Sequence, residues 1–349
     1  MIGITPWHAL DDLRRWTGLG LDAAGLAPRQ TPSTDVLNEP GLRLRRYPAN
    51  GAGGAALLLV PAPIKRHYIW DLHPGCSVVA HAQRRGLDVW LSEWTEASPE
   101  DGLDRYVSHL ARCVDTIEAA TGQVPHLAGH SLGGTLAALH ATRHPDRLRA
   151  LVLLEAPLHF AQDAGAFAPL LQATPSATPM AAALGRVPGS VLNAAAVLAS
   201  PKEFIWQRRA AGLAAAARGG EALRTYLMAL RWSLDELALP GRLFAEVVDG
   251  LYRQDRLMRG ELELLGQRVR PADLRAPLAT VVDPRADAIP PASGLAFHHA
   301  ASSADKLVLS YDGDPDVLLQ HVGSLTGESA HRRLWPALFD WLARTSAPA

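Results

Sequence analysis

Six residues constrain the architecture more than any other stretch of this chain: Gly129-His130-Ser131-Leu132-Gly133-Gly134. They follow a short apolar run, Val124–Ala128, and they open a helical pattern, Leu132–His144. That pattern ends at Pro145, which cannot continue a helix. A serine placed between strand and helix in a G-x-S-x-G pattern sits on a sharp, strained turn where backbone and helix crowd together. Its neighbours must be small, and Gly129 and Gly133 meet that need. The helix start also supplies unpaired N–H groups and the positive end of a dipole, both suited to a developing oxyanion. A glycine turn that merely opens a helix is the bland alternative, and the flanking strand and helix argue against it.

The same alternation runs on either side. Ala55–Val60 and Leu151–Leu154 are continuous aliphatic runs, as is Leu87–Leu91 leading to Trp94, the pattern of strands covered on both faces. Between Leu103 and Ala120, the residues Leu103, Tyr106, Val107, Leu110, Val114 and Ile117 fall at spacings of three and four, one face of a helix. Strand character returns at Leu278–Val282 and Leu307–Ser310, and Leu334–Leu342 closes the chain as an amphipathic helix. Strands alternating with helices predict a mainly parallel sheet flanked by helices. Residues 161–270 are Ala-rich with scattered Pro and Gly and without a buried strand pattern, which predicts a helical cap. Residues 51–160 and 271–349 then form the α/β core. Residues 1–50 are expected to be an N-terminal segment with one helix, Trp7 to Trp16, followed by a stretch without clear period.

Composition narrows the function classes. Lys and Arg number 34 against 35 Asp and Glu, a net charge of −1, so there is no electrostatic reason to expect nucleic acid or anionic lipid as a partner. Two cysteines, Cys76 and Cys113, cannot make a disulfide framework, and a reducing cytoplasm is the expected location. The longest apolar candidate, Ser190 to Ser200, is about half the ~20 residues a membrane helix needs. The N-terminus also lacks the apolar run of a secretion signal.

A serine hydroxyl needs a base. In the α/β-hydrolase fold, which the serine turn and the alternating pattern predict, the chain order is serine, then acid, then histidine. Downstream of the cap lie His298, His299, His321 and His331. The first two fall on the helix before the last strand, and His331 is expected at the surface of the closing helix. His321, in a loop after the last strand, is therefore the expected base. Asp287, on a loop braced by Pro290 and Pro291, is the favoured orienting acid, and Asp283 competes with it. The oxyanion is expected to be held by the amides of Leu132 and Ile64, because Pro61 and Pro63 have no N–H to offer. His140 and His144 have a zinc-compatible spacing but no third ligand nearby; they read as a structural pair, and neither metal nor cofactor is expected. The cap aromatics Phe204, Trp206, Tyr226, Trp232 and Phe244 are candidates for an acyl tunnel or for core.

Several longer segments carry a resemblance. They are His67-Tyr68-Ile69-Trp70-Asp71-Leu72, Gly86-Leu87-Asp88-Val89-Trp90, Leu103-Asp104-Arg105-Tyr106-Val107, Arg112-Cys113-Val114-Asp115 and the serine turn. Further along come Leu257-Met258-Arg259-Gly260-Glu261-Leu262, Gly266-Gln267-Arg268-Val269, Pro290-Pro291 and His321-Val322-Gly323. From about Ala55 to Leu342 the chain thereby resembles the catalytic subunit of the shorter, class III/IV polyhydroxyalkanoate synthases. That family's nucleophile is a cysteine, where this chain has Ser131, and Asp287 stands three residues before Pro290 rather than four. The resemblance implies 3-hydroxyacyl substrates, presented as an oligoester or on coenzyme A or a carrier, and a homodimer. The expected activity is acyl transfer through acyl-Ser131, with hydrolysis first. The alternatives are an acyltransferase, including a polyester synthase, and a non-catalytic relative that binds granules or a partner.

Overall fold

The aliphatic runs assemble into one eight-stranded sheet. The structure, a computed structural model, describes residues 6–49, 54–160 and 164–346. The strands are β1 (Thr34–Glu39), β2 (Leu42–Tyr47), β3 (Ala56–Val60), β4 (Asp88–Trp94), β5 (His126–His130), β6 (Leu151–Leu154), β7 (Leu278–Val282) and β8 (Lys306–Ser310). Their order is β1-β2-β4-β3-β5-β6-β7-β8. β2 runs antiparallel to both neighbours, and the strands from β4 to β8 run parallel to one another. Every residue of β3, β5, β6 and β7 is buried, which accounts for the purely aliphatic sequences of β3 and β6.

The helices are α1 (Pro6–Leu21), α2 (Val78–Arg84), α3 (Leu103–Thr121), α4 (Leu132–Arg143), α5 (Gly189–Ala199), α6 (Arg208–Arg218), α7 (Gly220–Ser233), α8 (Pro291–Ala300) and α9 (Trp335–Ser346). α3 stops at Gly122, whose left-handed conformation (φ 72°) lets its N–H bond back to Glu118. α4, the helix behind the serine, is buried from Leu132 to Thr142, so it is apolar all round rather than striped.

Two expectations change. Residues 34–47, read as lacking period, supply β1 and β2. Their alternation is masked because Arg43, Arg45 and Arg46 pair with carboxylates of β1 and β4. The stretch 164–270 is mainly helical but also carries two short antiparallel strand pairs, one of them Leu262–Leu264 with Gln267–Val269. No described helix is long and apolar enough to cross a membrane.

Burial of imidazoles sets the acid limit of this fold. Desolvation holds His67, His109, His126, His130, His321 and His331 down at about 4, and His140 at about 3. They are neutral when folded but accept protons near 6.5 when unfolded. Stability is therefore intact above pH ~6.5 and is lost as pH falls towards 4. All of these imidazoles act in the same direction, and the raised carboxyl of Glu155 opposes them. Circular dichroism against pH is expected to show loss of structure as pH falls below about 6.

Candidate active site

Strand register brings the chemistry to one edge. β5, β6, β7 and β8 end in line: His130 pairs with Leu154, Leu154 with Val281, and Val282 with Ser310. The residues that follow are bound across the gap, Ser131 N–H to Leu154 O (2.9 Å) and Glu155 N–H to Val281 O (2.9 Å). Ser131 stands at the start of α4 with φ 54° and ψ −133°, a conformation that costs a non-glycine residue about 1–3 kcal/mol. Its carbonyl accepts from Thr135 N–H, which anchors the turn to the helix. The crowding expected of the turn is present. A Cβ on Gly133 would lie 2.2 Å from Val60 O, and one on Gly129 would lie 2.6 Å from the Gly134 Cα. Those neighbours are backbone and cannot step aside. Gly133→Ala is therefore expected to lower stability by about 1–3 kcal/mol, read from the urea midpoint, and to depress activity as β3 and its loop shift.

His321 lies in the 3-10 turn Gln320–Val322 after β8. Its ring centroid is 4.6 Å from that of His130, the residue before the serine. His130 Nε2–H donates to the His321 carbonyl at 2.6 Å, so the serine turn and the histidine loop are joined directly. On its other side, Nδ1 of His321 is 3.2 Å from Oε2 of Glu155. Ser324 Oγ–H donates to Oε1 of that carboxyl at 2.8 Å. Glu155 is buried and has φ 47°, the second strained residue of the site.

Asp287, the expected partner, is elsewhere. It is exposed, its Oδ2 accepts from Lys202 Nζ at 2.7 Å, and its own N–H donates to Glu203 Oε1. Asp283 is buried, but its Oδ1 accepts from the Arg285 N–H at 2.8 Å; it is a turn residue at the strand end. The carboxyl that reaches His321 follows β6, one strand nearer the serine. Its signal was its place at the end of Leu151–Leu154, which sequence reasoning passed over because it looked for an acid after β7.

Burial pushes the Glu155 carboxyl up to about 8 and His321 down to about 4. Both shifts have the same cause, loss of water around the charged form, so the couple resists becoming an ion pair. Among the described residues, His130, Glu155 and His321 form a group whose ligand-capable atoms lie within 4.8 Å of one another. These side chains are already engaged in the hydrogen bonds above, the roles of a proton relay.

Leu132 is the first residue of α4, where an N–H has no partner within the helix. Ile64 lies in the turn after β3. A cavity of about 350 Å³ opens from His321 between the cap and the loop after β7, walled by Ala210, Ala211, Ala214 and Ile289. The cap aromatics do not line it: Trp206 is 65 % exposed, and Trp232 is buried and bonded to Arg66 O. The rings of His140 and His144 lie 5.0 Å apart, tilted by 40°. His331, expected at the surface, is half-buried and bonded to Leu325 O. Burial pushes the Cys76 thiol up to about 12, which makes it inert at neutral pH.

Comparison with known proteins agrees with this fold. The alpha/beta hydrolase fold family matches residues 68–186. The chain is 30% identical over 327 residues to a poly(3-hydroxyalkanoate) polymerase subunit of Haloferax mediterranei, covering 91% of this chain and 65% of that protein. It is 28% identical over 342 residues to the corresponding subunit of Synechocystis sp., covering 93% and 87%. The chain thus spans just under two thirds of the first relative and most of the second. The crystal structure of a monoacylglycerol lipase from Paleococcus ferrophilus has the same fold, with a TM-score of 0.54 at 17% identity over 87% of this chain and 99% of that one. The chain has the α/β-hydrolase fold and is similar over nine tenths of its length to the poly(3-hydroxyalkanoate) polymerase subunits.

Proposed function

We propose that the protein is an acyl-transfer enzyme that forms an acyl-Ser131 intermediate from a (3-hydroxy)acyl ester or thioester and passes the acyl group to water. The observation that carries this reading is Ser131 on its strained turn, tied through His130 to a histidine whose Nδ1 meets a buried carboxyl. His321 takes the Ser131 proton as the hydroxyl attacks the acyl carbon, then gives it to the leaving alcohol or thiol. Glu155, in place of Asp287, holds the imidazole with Nδ1–H towards it, leaving Nε2 for the serine. The oxyanion is assigned to the N–H groups of Leu132 and Ile64. Water then attacks the acyl-serine, with His321 again as base.

The serine favours hydrolysis. An acyl-cysteine is a thioester, and its transfer to a chain hydroxyl is downhill. An acyl-serine is an oxyester, and its transfer to another hydroxyl is nearly balanced, so chain growth loses its driving force at that step. Water remains a favourable acceptor.

Transfer to an alcohol, including polyester synthesis, is the second reading. Similarity to polymerase subunits over nine tenths of the chain favours it. A cytoplasmic homodimer using a coenzyme A or carrier thioester fits both readings.

Incubation with 3-hydroxybutyryl-CoA, following free CoA and product size, tests the choice. Free acid is the expected product. Long polymer would establish the second reading, and absence of both turnover and phosphonate labelling at Ser131 would leave a binding relative.

A further inference from the structure

The loop after β3 carries Ile64, and an oxyanion donor displaced by ~1 Å loses most of its value. The structure holds that loop from behind with an ion cluster. Leu237 N–H donates to Ile64 O at 3.2 Å, and Lys65 pairs with Glu236 in an isolated antiparallel bridge. The Lys65 ammonium donates to Glu236 Oε1 (2.7 Å) and to Ser233 O (2.6 Å). Arg14 of α1 closes the other side of the same carboxylate, Nε to Oε2 at 3.0 Å and Nη2 to Oε1 at 3.1 Å, and it also reaches Ser233 O at 2.9 Å. The Glu236 side chain is only 4% exposed. One residue further along, Arg66 O accepts from Trp232 Nε1–H at 2.8 Å.

A buried ion trio is a poor source of net stability, since desolvation offsets most of its attraction. What it does impose is geometry: two cations on one carboxylate leave few arrangements of the segments that carry them. Those segments are α1, the end of α7 with the residues after it, and the oxyanion loop. Resting on the Ser131 reading above, we infer that Glu236, clamped between Lys65 and Arg14, is a positioning residue for the Ile64 amide, and that α1 acts on the reaction through it.

The experiment uses the full chain and an acyl ester substrate, with Ser131 labelling by an activated phosphonate as the first control. Glu236→Gln and Lys65→Met are expected to lose about 10- to 100-fold in kcat with KM within about twofold. The Ki of an alkyl boronic acid, whose adduct with Ser131 places an oxygen in the oxyanion site, should rise by the same factor as kcat falls. Arg14→Gln is expected to lose less, about 3- to 10-fold, and Arg14→Lys, which keeps the charge but not the two-point grip, should recover only part of it. Arg14 is 18% exposed on α1, so it supplies the decisive pair if the buried variants do not fold. Variants that are labelled at Ser131 but keep the wild-type kcat and boronate Ki would overturn the clamp and leave the serine mechanism standing. A wild-type chain unlabelled at Ser131 would overturn both.

Discussion

Ser131→Ala is expected to leave a folded protein that no longer incorporates an activated-ester phosphonate, with ester turnover down by on the order of 10⁴ to 10⁶. The bonds that build the turn run through the backbone of residue 131, its N–H to Leu154 O and its carbonyl from Thr135. Alanine keeps both, so far-UV circular dichroism should not change. What is lost is the one atom able to bond to the acyl carbon, and the remaining donors and histidine cannot substitute for it. Ser131→Cys makes the complementary test. The thiol keeps a nucleophile at that point and changes the intermediate from oxyester to thioester. Transfer to an added alcohol acceptor should then rise relative to hydrolysis, measured as the product ratio by mass spectrometry. Phosphonate labelling that persists in the alanine variant would place the nucleophile elsewhere.

Most of the fold was legible because the central strands are buried on both faces. Ala56–Val60 and Leu151–Leu154 contain nothing but aliphatic residues, and no other environment explains such runs between helices. The edge was not legible for the converse reason. β2 reads Leu-Arg-Leu-Arg-Arg-Tyr, and its arginines are matched by Asp35, Asp88 and Glu93 on adjacent strands. A pattern that depends on cross-strand partners cannot be read from one strand alone.

The site shows the same division. Ser131 and His321 were chosen from local rules, a turn that demands glycine and a chain order that demands a histidine after the last strand. The carboxyl that meets His321 obeys no local rule. Glu155 follows a strand whose sequence says only that it is buried, and it becomes the partner of His321 because β6 ends level with β5 and Ser324 holds its other oxygen. The proline-braced loop that made Asp287 attractive is real, but its use is different. Lys202 and Glu203 of the cap bind there, to Asp287 Oδ2 and to the N–H groups of Asp287 and Ala288.

Exchanging the two candidate acids one at a time separates them. Glu155→Gln is expected to reduce kcat by about 10⁴, the scale reported when an orienting carboxylate becomes an amide and the histidine adopts the wrong tautomer. Asp287→Asn removes only an exposed contact with Lys202, and kcat should stay within about twofold. The pH profile gives an independent check. Burial raises the Glu155 carboxyl to about 8, and only the carboxylate stabilises the imidazolium that forms as Ser131 attacks. The rate of Ser131 acylation should therefore climb through neutral pH and level off above about 8, because protons compete for the carboxylate below that point. In Glu155→Gln there is nothing left to ionise, and that limb should vanish along with the activity. A profile that is flat from pH 6 to 9 in the wild type, or a collapse of kcat in Asp287→Asn with Glu155→Gln near normal, would return the orienting role to the loop after β7.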